Sequence, residues 1–102
     1  MLSMKFRTEF KPHYDLEKFK ASNFRITKTA NESAVELGFW KKGVRQVVST
    51  MKPEHFYKLM TSYFDNKTWQ DVYHVPYENM IIYIKFTENV ISEFMLLSFK
   101  EK

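Results

Sequence analysis

Thr68-Trp-Gln-Asp-Val-Tyr-His-Val75, Met80-Ile-Ile-Tyr-Ile-Lys-Phe-Thr87 and Glu93-Phe-Met-Leu-Leu-Ser-Phe-Lys100 are the segments on which the fold turns. Apolar and polar residues alternate along most of each, with β-branched and aromatic side chains enriched, which predicts three strands. The breaks Pro76-Tyr-Glu-Asn79 and Asn89-Val-Ile-Ser92 are short, so antiparallel meander pairing follows. With an even number of residues in each loop, opposed residues share a face. One face then collects Trp69, Tyr73, Val75, Met80, Ile82, Ile84, Phe86, Met95, Leu97 and Phe99, a core face with Asp71 as its misfit. The other collects Gln70, His74, Tyr83, Lys85, Ser98 and Lys100 among Val72, Ile81, Phe94 and Leu96, a floor fit for a polar ligand. A one-residue slip would exchange the two sets.

Upstream the period is helical. Asp15 is placed to cap a short helix that turns Leu16 and Phe19 inward. Phe24-Arg-Ile26 reads as extended. Thr29-Ala-Asn-Glu32 fits a capping box, followed by Ala30, Ala34 and Leu37 at helical spacing, with Gly38 where a left-handed cap is needed. Val44, Val47, Val48 and Met51 predict a third helix. Pro53 at a helix start, then Phe56, Leu59, Met60 and Tyr63, predict a fourth, with Lys58 pointing away from its apolar stripe. The architecture expected is α+β: an antiparallel sheet with short helices packed on it.

At 102 residues the chain is long enough for one domain, 1–102, and not two. It has no cysteine, which excludes disulfides, thiolate metal sites and thiol nucleophiles. Gly38 and Gly43 are its two glycines, so no glycine-rich phosphate loop can be written. His13, His55 and His74 make neither HxxxH nor HExxH, and no metal or other cofactor is expected. No apolar run is long enough to span a bilayer and the start has no apolar signal core, so a cytoplasmic location without membrane association is expected. The net charge of +4 is concentrated early: residues 1–51 hold ten Lys/Arg against five acids. Such a balance favours polyanions, although it also serves simple solubility.

Phe56-Tyr-Lys-Leu-Met-Thr61, Trp69-Gln-Asp-Val-Tyr73, Tyr83-Ile-Lys85 and the terminal Leu97-Ser-Phe-Lys-Glu-Lys102 together resemble the motility quorum-sensing regulator (MqsR) toxin family. The likeness is dense over residues 54–102 and weaker upstream. It implies a RelE-like fold and a ribosome-independent endoribonuclease, an mRNA interferase cutting at short GC-starting sites. It also implies an antitoxin with a zinc-binding domain and a DNA-binding helix-turn-helix domain, so that DNA is met only through that partner. The family's functional residues fall on Lys58, Gln70, Tyr83 and Lys100.

Metal-independent RNA cleavage by the 2′-hydroxyl requires a proton acceptor, charge for the phosphorus and a proton donor for the leaving oxygen. Lysines supply the charge. Tyr83 moves a proton if nearby lysines lower its pKa from near 10. Gln70 suits positioning. Lys85 and His74 share the same face as candidates for substrate contact, His74 also as an auxiliary proton carrier. Taken singly, each has an ordinary account: a solvated lysine, an amphipathic sheet tyrosine, an edge-strand histidine. The rival to an enzyme is a non-catalytic RNA- or protein-binding module on the same fold, with the basic first half as its contact surface.

Overall fold

The computed structural model describes residues 11–61 and 68–102. Three helices precede the main sheet: α1 (Leu16–Ala21), α2 (Lys28–Glu36) and α3 (Lys41–Ser49). The strands are β1 (Arg25–Ile26), β2 (Phe56–Thr61), β3 (Trp69–Tyr77), β4 (Met80–Glu88) and β5 (Phe94–Glu101), in the spatial order β1-β5-β4-β3-β2. Pairing is antiparallel except that β1 runs parallel to β5. The expected α+β architecture is therefore present, enlarged by one strand at each edge. Among the described residues no helix is long and apolar enough to cross a membrane.

Local chemistry accounts for the helix ends. The Asp15 carboxylate accepts from the Lys18 amide and starts α1. Thr27, not Thr29, caps α2, its hydroxyl accepting from the Ala30 amide, so the predicted capping box lies two residues too late. Gly38 adopts φ 92° as expected. Its amide donates to the Val35 carbonyl while that of Phe39 donates to Ala34, the paired bonds of a left-handed helix stop. Val44, Val47 and Val48 turn inward along α3, and Met51 closes the same stripe beyond its end.

The fourth helix is absent. Pro53–His55 forms a single 3-10 turn, and Phe56–Thr61 continues as an edge strand on β3. Phe56, Leu59 and Met60 fit a helical stripe, but six residues are too few for periodicity to separate the two states, and pairing with β3 decides. Lys58 therefore comes from a strand. Tyr63 lies outside the described residues.

The β3–β4 turn is tighter than expected, with only Glu78 and Asn79 between the strands and Glu78 at φ 55°. The register moves by two residues, to Val75 opposite Ile82, and because two is even every predicted facing in β3 and β4 survives. In β5 it does not survive throughout. Lys85 opposes Ser98 whereas Phe86 opposes Leu96, so a bulge at Leu97 reverses the parity below it. Phe94 and Leu96 consequently enter the core, and Met95 and Leu97 leave it, the reverse of the expectation for these four residues.

The core lies between the helices and one face of the sheet. Phe19 stacks on Phe86 with ring centroids 3.8 Å apart, next to Phe24 and Phe94. Ala30 and Ala34, both fully buried, let α2 approach the sheet closely. Asp71, the misfit on this face, is buried but not orphaned: its two carboxylate oxygens accept from the His13 and Tyr14 amides at 3.0 and 2.9 Å. It ties the segment before α1 to β3, which resolves the anomaly. Burial raises its pKa, and the two amide bonds pull the other way.

Candidate active site

The opposite face carries the candidate residues. β-sheet register places His74, Tyr83 and Lys100 side by side on β3, β4 and β5. One row along, Lys58, Val72, Lys85 and Ser98 lie across β2 to β5. Strands are ~4.8 Å apart and rows about 6.6 Å, so the two rows occupy one compact patch. Gln70, opposite Met60, is buried on the same face in the row next to Lys58 and Lys85, about 6.6 Å along β3 from Val72 and about 13 Å from His74 by strand rise. The arrangement thus brings Lys58, Lys85, Tyr83, Lys100 and His74 together and leaves Gln70 at the margin.

Tyr57 joins them, and nothing in the sequence marked it out. The β2 register shifts between Phe56, opposite Tyr73, and Lys58, opposite Val72. Tyr57 is the intervening residue, and its ring stacks on His74 at 4.0 Å with 20° between planes. His74 in turn meets Tyr83 at 5.8 Å. A row of three rings crosses the sheet, flanked by Lys58 Nζ at 5.5 Å from the Tyr57 ring and Lys100 Nζ at 5.1 Å from the Tyr83 ring. Cation–π attraction of this kind anchors each ammonium over the patch.

The electrostatics are one-signed. Among the described residues no acid forms an ion pair with Lys58, Lys85 or Lys100. Lys85, half-buried at the centre, has its pKa lowered, first by burial and then by the charges of Lys100 and Lys58. His74 is also lowered, by burial and then by Lys102 and Lys58, which keeps its imidazole neutral near pH 7. Tyr83 departs from the expectation. Burial, followed by Tyr57, pushes its phenol above 10, so the hydroxyl stays protonated and acts as a donor. Chemically the patch can bind an anion, accept a proton at His74 and donate one from Tyr83 or a lysine.

An α+β sheet with helices on one face and a cationic floor on the other is compatible with the small RelE-like toxins. The family model described as "Motility quorum-sensing regulator, toxin of MqsA" matches residues 11–101, and the chain belongs to that family. It is similar to the mRNA interferase toxin MqsR of Escherichia coli strain K12, with 38% identity over 95 residues, covering 89% of this chain and 95% of that protein.

Proposed function

We propose that the chain is a toxin endoribonuclease acting as one domain, 1–102, whose substrate is messenger RNA. The observation that carries the reading is the direct pairing of Tyr83 with Lys100, one row from Lys85 and Lys58, with no acid paired to the three lysines among the described residues. Like charges gathered on a floor destabilise a fold unless an anion answers them, and a phosphodiester is such an anion. The similar E. coli protein, named an mRNA interferase, supports the same substrate.

In the proposed reaction neutral His74 takes the proton of the 2′-hydroxyl. The freed oxygen attacks the adjacent phosphorus and the bond to the 5′-oxygen breaks. Lys58, Lys85 and Lys100 stabilise the crowded phosphorane, and the phenol of Tyr83 donates its proton to the leaving oxygen. The products are a 2′,3′-cyclic phosphate and a 5′-hydroxyl. Gln70, at the margin, holds a flanking nucleotide. Neither a ribosome nor a divalent metal takes part, cleavage falls at short GC-starting sites, and the reaction belongs in the cytoplasm. A cognate antitoxin, zinc-binding and with a helix-turn-helix domain, neutralises the chain and supplies any contact with DNA. The family description, toxin of MqsA, supports such a pairing.

The test is incubation of the purified chain, in EDTA, with a defined RNA and with the same strand carrying 2′-deoxy at the cut. Cutting of the first alone is expected. Cutting of the deoxy strand, or dependence on metal, refutes the mechanism. Binding without cutting establishes the rival, a non-catalytic binding module.

A further inference from the structure

A second basic cluster lies at the other end of β5, outside the candidate active site. Arg25, Lys41 and Arg45 line a cavity of about 370 Å³ with Asn23 and Glu93. Three cations against one carboxylate leave a net positive pocket. Its parts are held. Arg45 donates to the Phe24 carbonyl at 2.8 Å, and its guanidinium lies 4.2 Å from the centre of the Phe24 ring. That bond uses one of five guanidinium hydrogens, so donors remain for a ligand. Glu93 is restrained by the Asn89 amide at 3.3 Å and by Arg25 at 3.9 Å. Lys41 is exposed in the first turn of α3, with no acid paired to it among the described residues.

Position relates the pocket to the lysine floor. In the parallel β1–β5 pairing Arg25 sits beside Met95, and Met95 faces the same side of the sheet as Ser98 and Lys100. Five residues of strand separate Met95 from Lys100, about 16 Å. Between the two clusters, Ser98 and Met95 present no charge on this face. At the stacked spacing of ~3.4 Å per nucleotide, at most about five nucleotides cover that distance, and fewer when the strand is extended.

We propose that Arg25, Lys41 and Arg45 form a secondary phosphate subsite that holds the backbone of a single-stranded RNA a few nucleotides from the cleaved bond. The inference rests on the reading of the lysine floor as an RNA-cutting site. Contact with phosphate carries no sequence information, so the subsite selects for substrate length and holds register while the floor does the chemistry. An acidic segment of a protein partner is the competing occupant. RNA is favoured because Arg25, on the edge strand β1, sits beside Met95 on the floor's side of the sheet with no acid on β5 between Met95 and Lys100, while Lys41 and Arg45 reach the pocket from α3 at the same edge.

The experiment compares RNAs of about four and about twelve nucleotides, each with 2′-deoxy at the cut so that binding is read without cleavage. Each lost phosphate contact lowers the single-strand salt slope by about 0.7, roughly fivefold in Kd at 0.1 M salt. R25Q/K41Q is therefore expected to weaken the longer RNA about 25-fold and to lower its slope by about 1.4, with the shorter RNA changed less than twofold. Arg45 is left intact because it holds Phe24. Should the double variant unfold on melting analysis, K41Q alone is expected to give the fivefold effect. Equal weakening of both RNAs, no weakening of either, or a loss confined to an acidic protein partner overturns the inference. Cleavage of the ribose versions by the native chain is read in parallel. Failure there refutes the proposed enzyme, whereas length-dependent binding decides the subsite separately.

Discussion

One face of the sheet is packed under the helices and the other, the open face of the described residues, carries the lysine floor, and they handle polarity in opposite ways. On the covered face the buried side chains are nearly all apolar, Asp71 is hydrogen-bonded through both carboxylate oxygens, and the Tyr73 hydroxyl alone is buried without a hydrogen-bond partner among the described residues. On the open face three lysines crowd together without an acidic partner among the described residues. The first arrangement is what folding selects. The second opposes folding and makes sense when a ligand supplies the missing charge. Substitutions should therefore separate cleanly: the covered face governs stability, the open face activity.

The largest effect tests the covered face. Phe86 is fully buried and stacks on Phe19. Phe86→Ala is expected to lower unfolding free energy by about 3–5 kcal/mol in urea titration. A loss under about 1 kcal/mol would mean that the site collapses freely and that the core does not depend on this stack.

On the open face, Lys58→Ala or Lys100→Ala should reduce kcat about a hundred- to a thousandfold, the usual result of losing one charge-stabilising donor. The melting temperature should hold or rise, because a repulsion is relieved. A variant that loses activity and stability together would erase the contrast between the faces. Tyr83→Phe then sharpens the site, since a drop of similar size assigns the hydroxyl to proton donation and a small one leaves the ring as a positioning surface.

A smaller loss is expected at the polar exception on the covered face. Asp71→Asn retains one acceptor for the His13 and Tyr14 amides and turns an NH₂ group toward the other. One buried donor is left unpaired, about 1–3 kcal/mol. Amide exchange should quicken at His13 and Tyr14 first, and unchanged protection there would show that the carboxylate does not hold this segment.

The faces were not equally legible in the sequence. The floor of Tyr83 and Lys100 was readable because beyond the bulge the β4–β5 register missed by two residues, Tyr83 opposing Lys100 rather than Ser98, and an even slip preserves facing. The bulge at Leu97 was not readable, since nothing in Met95-Leu-Leu-Ser98 distinguishes one inward leucine from its neighbour. Lys58 reached the floor by the wrong element, because Phe56, Leu59 and Met60 satisfy a helical and an extended pattern alike over so short a run. Tyr57 was missed for a related reason: only the β2 register shift turns it onto His74. Asp71 looked wrong on a core face until the segment at His13 and Tyr14 supplied its donors, a contact that no periodicity encodes.

The smallest change near neutrality is in the pH profile, and it discriminates most finely among groups on the open face. In the proposed reaction His74 is the neutral base, and burial with Lys102 and Lys58 lowers its pKa from 6.5. Activity should therefore climb with pH through a value below 6.5, tenfold per unit on the acid limb, and be nearly flat between about 7 and 8. Lys85 serves the same proposal as a cation, and burial with Lys100 and Lys58 lowers its pKa from 10.5. The alkaline limb should therefore fall through a value below 10.5, while burial holds the phenol of Tyr83 above its ordinary value of 10. His74→Gln should abolish the acid limb, and Lys85→Arg, whose charge does not titrate in this range, should move the alkaline limb upward. An acid limb that persists in His74→Gln would transfer the base to another group and leave His74 as a stacking partner of Tyr57.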